Sequence, residues 1–319
     1  MPRKLILDVD TGTDDAVAIM FAALHPDLDL VGVTTVNGNV PLAATTDNTL
    51  RVLDHIGRAD IPVYPGLAGP IARHGFPGRL HFAQGTKNDM HGGALPLPAA
   101  TSSAQPTGAV EFLVETLRST SDPVTLVAVG PLSNVATALA IDPSIVDAVA
   151  QVVIMGGAHA YGNVTASAEF NIWVDPEAAN MVFAAGFERL TLVPLDATHQ
   201  ALITRADCAA FAALGTPAGT AAATLITRRI DAYSANHGAK VDQTAPVHDA
   251  VCTAYLVRPD VVSTRRVHVT VETIGVHTIG RTVMDLRPNA EAPNADVAFT
   301  ADKDLFTQLL TAVLAGQSA

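Results

Sequence analysis

The chain has 319 residues, 49% of them apolar but only 5% aromatic, so its interior is built mainly from Ala, Val, Leu and Ile. That length fills either one large α/β domain or two smaller ones. A net charge of −12, with 19 basic residues thinly spread, disfavours nucleic-acid backbones and anionic membranes and leaves a neutral or cationic small molecule as the expected partner. Cys208 and Cys252 lack metal-type spacing and read as two reduced thiols in a cytoplasmic protein. The Arg3-Lys4 pair precedes an apolar run too short for a signal peptide or a membrane span.

The first element sets the terms for the rest. Leu5-Ile6-Leu7 reads as a buried strand, Gly12 permits a sharp turn, and the apolar period from Ala16 to Leu24 predicts a helix. Asp8, Asp10, Asp14 and Asp15 therefore crowd one strand-to-helix corner. With Thr13 as N-cap, Asp14 and Asp15 fall in the first helical turn, where the helix dipole favours acids. Asp8 and Asp10 have no such explanation, and buried unpaired carboxylates cost several kcal/mol by order of magnitude unless a cation or hydrogen-bond network compensates them. Only oxygen ligands lie nearby, which selects calcium, magnesium or manganese over zinc or copper. The spacing is not that of an EF-hand, so a metal site must be assembled from distant segments.

Leu28 to Val36 predicts a second strand, ended by Asn37-Gly38-Asn39, and Leu42 to Ile56 a second helix. Alternation of this kind implies a parallel sheet, whose ligands sit beyond the carboxyl ends of the strands. Asp10 and Asn39 occupy two such ends. From Tyr64 to Thr107 the pattern breaks into Gly, Pro and His, as expected of a functional loop or lid, with His81 and His91 as its candidate reactive groups.

Alternation resumes with a helix from Gly108 to Arg118, a strand from Val124 to Val129, a helix capped by Ser133, and a strand from Gln151 to Met155 that ends in Gly156-Gly157. Asp175-Pro176-Glu177 reads as a helix start. Glu169 and Asn171 cap nothing obvious; as i, i+2 residues in an extended segment they would face the same way, a carboxylate beside an amide suited to sugar hydroxyls. Leu190 to Leu195 is the expected last strand of the parallel set. Helical stretches at Ala206 to Leu214 and Ala221 to Asn236 lead to Val247-His248-Asp249 and a helix from Ala250 to Val257, where Asp249 could serve only as a cap. Val267 to Thr273 and Thr282 to Asp285 predict a small antiparallel ribbon, and Lys303 to Leu314 a closing helix. No repeat, low-complexity segment or clear linker divides residues 1–319, so a single domain is expected.

These residues resemble the nucleoside hydrolase family, the inosine-uridine-preferring type of ribonucleoside N-ribohydrolase, from Leu5 to about Leu314. Asp8-Val9-Asp10-Thr11-Gly12-Thr13-Asp14-Asp15-Ala16 is the most specific string. Thr35-Val36-Asn37-Gly38-Asn39, Met155-Gly156-Gly157, Ala168-Glu169-Phe170-Asn171 and Val247-His248-Asp249 follow in the family's order. The resemblance implies an α/β fold with an open, Rossmann-like, mostly parallel central sheet flanked by helices. It implies calcium-dependent hydrolysis of the N-glycosidic bond of ribonucleosides, releasing base and ribose in purine and pyrimidine salvage. It places Ca2+ on Asp10, Asp15, the Val129 carbonyl and Asp249, with Asp8 in support. Ribose hydroxyls fall to Asp14, Asn39, Asn163, Glu169 and Asn171, with Met155 against the sugar.

Asp10 would be the general base acting on a metal-bound water, chemistry that suits a cluster complementary to a positively charged ribosyl transition state. His248 is the first candidate for assisting the departing base, followed by His81, His91 and Tyr233. Family members commonly carry a His-Gly pair where this chain reads Gln84-Gly85. The resemblance also implies a cytoplasmic homo-oligomer, dimer or tetramer.

Two rival readings follow from the same residues. Asp8-Val9-Asp10-Thr11 resembles the acid pair of haloacid dehalogenase-type phosphatases, but Gly12 breaks the next position and no late Lys with a Gly-Asp motif follows. A non-catalytic nucleoside or ribose binding protein would keep the pocket, yet has no need of a water-activating Asp10.

Overall fold

The computed structural model describes residues 2–73, 91, 93–237 and 243–317. Strands and helices alternate through β1 (Arg3–Val9), α1 (Thr13–Leu24), β2 (Leu28–Thr35), α2 (Leu42–His55), β3 (Val63–Pro65), α3 (Ala109–Ser119), β4 (Val124–Ala128), α4 (Ser133–Ile141), β5 (Val149–Met155), the short α5 (Phe170–Val174), α6 (Pro176–Ala184) and β6 (Leu190–Val193). The chain continues through α7 (Leu195–Thr198), β7 (Leu202–Thr204), α8 (Arg205–Ala213), α9 (Pro217–His237), β8 (Thr244–Pro246), α10 (His248–Val257), β9 (Val262–Val271), β10 (Thr282–Asp285), β11 (Ala295–Ala301) and α11 (Lys303–Leu314).

Nine strands form one sheet in the order β10-β9-β11-β6-β5-β4-β1-β2-β3. Pairing is parallel from β11 to β3 and antiparallel where β9 meets β11 and β10. The central strands are buried on both faces, which explains their unbroken apolar runs. Alternate residues of β1 divide between two cores: Leu5, Leu7 and Val9 face the layer containing α1, while Ile6 faces the layer of α3, α4 and α6. Helix α1 is buried from Thr13 to Ala23 because α2, α9, α10 and α11 surround it, so it is apolar all round rather than amphipathic.

The α/β class with a mostly parallel sheet flanked by helices is as expected, and several local expectations change. The expected antiparallel ribbon forms, with Val271 opposite Thr282, and it is continuous with the main sheet. β9 starts at Val262 and joins the main sheet through β11, a strand the sequence reading did not anticipate and which lies parallel to β6. The expected last parallel strand stops at Val193, and Leu195 opens α7. β7 and β8 form a small antiparallel pair of their own. At the start of the predicted loop, β3 adds an edge strand beside β2. His81 and the Gln84-Gly85 pair lie outside the described residues.

The helix starts also shift. Gly12 rather than Thr13 is the N-cap of α1, and the Asp15 carboxylate accepts the Gly12 N–H at 2.9 Å. Leu132 is the N-cap of α4, while Ser133 Oγ donates to Asp175 Oδ2 at 2.6 Å. Asp175 does cap α6, with Pro176 at its first position. Both cysteines are buried and free, and among the described residues no helix is long and apolar enough to cross a membrane.

Candidate active site

Sheet register brings the carboxyl ends of β2, β1, β4 and β5 side by side: Val9 is level with Thr35, Asp8 with Ala128, and Ala128 with Ile154. The next residues on each strand are those the sequence singled out. Asp10 follows β1, Asn39 lies in the turn after β2, Val129 follows β4, and Met155 ends β5. Helix α10 packs on α1 and delivers Asp249, so that carboxylate oxygens of Asp14, Asp15 and Asp249 lie within 4.8 Å of one another, all buried. Val247 is the N-cap of α10 and Asp249 stands in the first turn, so Asp249 is not the cap of that helix.

Asp10 and Asp15 are locked together. Asp15 accepts from the Asp10 N–H at 3.1 Å and from Asn39 Nδ2 at 3.2 Å, and Asp10 Oδ2 accepts the Asn39 N–H at 2.6 Å. Asp10 Oδ1 is buried with no hydrogen-bond partner among the described residues. Burial, then the neighbouring Asp15 charge, pushes Asp10 well above the ordinary carboxylate range, and burial, then Asp14, pushes Asp15 up to about 6. Asp249 is likewise raised, by burial and then by Asp14, Asp15 and Asp10. Four acids in one water-poor pocket favour protons or a cation. Behind them, Asp8 Oδ1 accepts from Thr34 Oγ1 at 2.5 Å and Asn134 Nδ2 at 2.7 Å, tying β1 to β2 and α4. Burial pushes Asp8 up to about 7.

Glu169 and Asn171 stand differently from the extended pair expected. Glu169 is the N-cap of α5 and accepts from the N–H groups of Gly157, Asn171 and Ile172, so the carboxylate binds the end of β5 to the start of a helix. Asn171 sits in the first turn of α5, and its Nδ2 donates to the Val129 carbonyl at 2.7 Å and to the Met155 carbonyl at 3.2 Å. Asn163 is exposed and its Oδ1 accepts the Phe170 N–H at 3.0 Å. His91 Nδ1 accepts the Thr13 N–H at 3.3 Å, over a bare Gly12 where a Cβ would meet it at 2.0 Å. His248 is buried, with Nδ1 2.7 Å from Thr198 Oγ1 and Nε2 3.2 Å from the Tyr233 hydroxyl. Burial, then Arg229, holds His248 well below the usual histidine range. The imidazole is therefore neutral at pH 7.

Residues 5–308 match the inosine-uridine preferring nucleoside hydrolase family. The chain belongs to that family. It is 39% identical over 316 residues to the pyrimidine-specific ribonucleoside hydrolase RihB of Escherichia coli, covering 98% of this chain and 97% of the relative. Among solved structures, it superposes on a purine-preferring ribonucleoside hydrolase from Gardnerella vaginalis with a TM-score of 0.88, at 33% identity over 98% of both chains. A plant nucleoside hydrolase, PpNRh1, gives the same TM-score at 29% identity over 98% of this chain and 99% of that one. The activity is hydrolysis of ribonucleosides at the N-glycosyl bond.

Two further side chains that sequence reading missed stand beside these residues, Arg229 at Asp14 and His199 at His248. Arg229, on α9, donates to Asp14 Oδ1 at 2.8 Å, and the His199 ring lies 5.5 Å from that of His248. An arginine inside a helix pattern normally reads as a solvated position, and only the packing of α9 against α1 buries this one. The donor set also passes a chemical test for a metal. Carboxylates that repel one another and an unpartnered Asp10 oxygen, which lies against Gly130, supply hard oxygen and excess negative charge, which fits a divalent cation.

Two changes probe this architecture without substituting the acids that would hold a cation. A Cβ at Gly38 would stand 2.1 Å from Asp10 Oδ2. Gly38→Ala is therefore expected to displace the Asp10 carboxylate and lower kcat about 10²-fold, the scale of a 1 Å misplacement; unaltered kcat would contradict it. Glu169 is pushed by burial from 4.5 up to about 7. Its folded pKa lies above its unfolded one, so its contribution is intact below pH 4.5 and is lost as pH rises toward 7. Between pH 5 and pH 8, wild type should lose about 2–3 kcal/mol more stability than Glu169→Gln in urea unfolding; parallel pH profiles would refute it.

Proposed function

We propose that this ribonucleoside hydrolase is calcium-dependent and uses Asp10 as general base on the attacking water. The observation that carries the reading is the convergence of Asp14, Asp15 and Asp249 beside the unpartnered Asp10 oxygen. Asp10, Asp15, Asp249 and the Val129 carbonyl would hold Ca2+, which when bound supplies a Lewis acid that seats sugar oxygens and makes water more acidic. Asp14, Asn39, Asn163, Glu169 and Asn171 would bind the ribose hydroxyls, and Met155 would pack against the ring.

Water attacks the anomeric carbon as the N-glycosidic bond breaks and the base departs with the bonding electrons. Asp10 takes the water proton, and the surrounding carboxylates stabilise positive charge on the ribosyl ring. Negative charge developing on the base is met by the hydrogen-bonded pair of Tyr233 and neutral His248, with His91 beside the first turn of α1. Neutral donors at that end stabilise an anionic base by hydrogen bonding, so no imidazolium is required.

Similarity to the pyrimidine-specific relative supports uridine and cytidine as preferred substrates. Release of free ribose from uridine, cytidine, inosine, guanosine and adenosine tests this preference, and chelation and Asp10→Asn test the metal and the general base. Ribose release from uridine or cytidine at more than about tenfold the purine rates is expected. Faster release from inosine or guanosine would overturn the pyrimidine preference. We also expect a cytoplasmic homo-oligomer, dimer or tetramer, which light scattering checks for its mass.

A further inference from the structure

Arg229 is the only buried lysine or arginine among the described residues, and no step of the reaction set out above uses it. It lies one helical turn before Tyr233 on α9. Its guanidinium donates through NH1 to Asp14 Oδ1 at 2.8 Å and to Thr13 Oγ1 at 3.2 Å, and through Nε to the Pro246 carbonyl at 2.6 Å. Its Cζ stands 5.5 Å from the centre of the Tyr233 ring.

Helix stability does not account for this position. A cation beside the first turn of α1 sits at the positive end of the helix dipole, where it is disfavoured. Charge balance alone does not account for the geometry either, since a point charge anywhere among the acids would serve. Here the planar fork is used direction by direction: one edge on a carboxylate, one on the strand carbonyl just before α10, and the plane near an aromatic ring. Asp14 would otherwise be repelled by Asp15 and Asp249 within the same cluster.

We propose that Arg229 is a positioning residue for nucleoside hydrolysis: it joins Asp14, on the ribose side, to Tyr233, on the leaving-base side, and so sets how strictly the enzyme requires the hydroxyl that Asp14 holds. With Oδ1 tied to the guanidinium, Asp14 presents its second oxygen in one orientation. The inference rests on the assignment of Asp14 to a ribose hydroxyl.

The test compares kcat/KM for uridine with its 2′-deoxy and 3′-deoxy analogues in wild type, Arg229→Met, Arg229→Lys and Asp14→Asn, with thermal unfolding in calcium as a check on folding. Wild type should discriminate strongly against at least one deoxy analogue. Arg229→Met should shrink that discrimination about tenfold or more, the scale of a hydrogen bond to a charged group, chiefly by losing activity on uridine. Arg229→Lys should recover part of it.

Equal losses on uridine and deoxyuridine in Arg229→Met, or an unchanged ratio, would overturn the proposal. If Asp14→Asn removes discrimination while Arg229→Met keeps it, the inference fails and the ribose assignment stands. If Asp14→Asn keeps it too, the ribose assignment fails and takes the inference with it. Should Arg229→Met not fold, Arg229→Gln, whose shorter neutral amide cannot span Asp14 and the Pro246 carbonyl together, should likewise shrink the discrimination, and an unchanged ratio there would overturn the proposal.

Discussion

In an Asp10→Asn variant, ribose release is expected to fall by about 10²–10⁴-fold, the usual contribution of a positioned general base, while nucleoside binding stays measurable. The amide has nearly the shape of the carboxylate and keeps an oxygen that can accept the Asn39 N–H, now bonded to Asp10 Oδ2 at 2.6 Å. What it loses is basicity and one negative charge. At saturating calcium the loss should therefore appear in kcat, with KM changed far less. Stopped assays for free ribose give kcat, and a thermal shift with nucleoside reports binding. Turnover within threefold of wild type would remove Asp10 from its assigned role and leave the cluster as a binding site only.

Removing the metal should have an effect of similar size. Chelation is expected to abolish ribose release and calcium to restore it, because Asp10, Asp14, Asp15 and Asp249 share a buried space that otherwise forces like charges together. Burial and mutual repulsion raise Asp10, Asp15 and Asp249, so the metal-free protein should take up protons here and give them back when a cation enters. Calcium at about 100 times its Kd would add about 2.7 kcal/mol to folding stability, readable as a rise in Tm. Asp249→Asn should weaken calcium binding by more than the roughly 10–100-fold typical of a residue that only supports a ligand. Full activity after exhaustive chelation, in protein shown by mass spectrometry to be calcium-free, would end the metal assignment.

Local reading served well where a residue's environment is set by its own neighbours in sequence. Asp175 was recognisable as a cap because the Pro following it occupies the first helical position, and it does cap α6. Glu169 was misread as uncommitted because α5 is only five residues long and has too little apolar period to declare itself. β11 escaped notice for a related reason: Ala295-Asp-Val-Ala-Phe-Thr-Ala has mostly small side chains and little alternation, and it is a strand because β6 and β9 flank it. A capping residue needs one turn of chain to be legible, whereas a central strand of small residues is defined by its neighbours.

The alternation of the main strands and helices through β6, and with it the parallel core of the sheet, was decided by the sequence alone, since hydrophobic period and turn residues act over a few positions. So was the acidic corner after β1, because Asp8 and Asp10 end an apolar strand and Asp14 and Asp15 open the next helix. Tertiary structure alone decided what meets that corner. Asp249 arrives on α10 and Arg229 on α9, the latter 215 positions from the Asp14 it holds, because both helices pack against the fully buried α1. No local propensity encodes such a meeting; it follows from the burial of apolar surface on every side of one helix, which brings charges into contact that the chain keeps far apart.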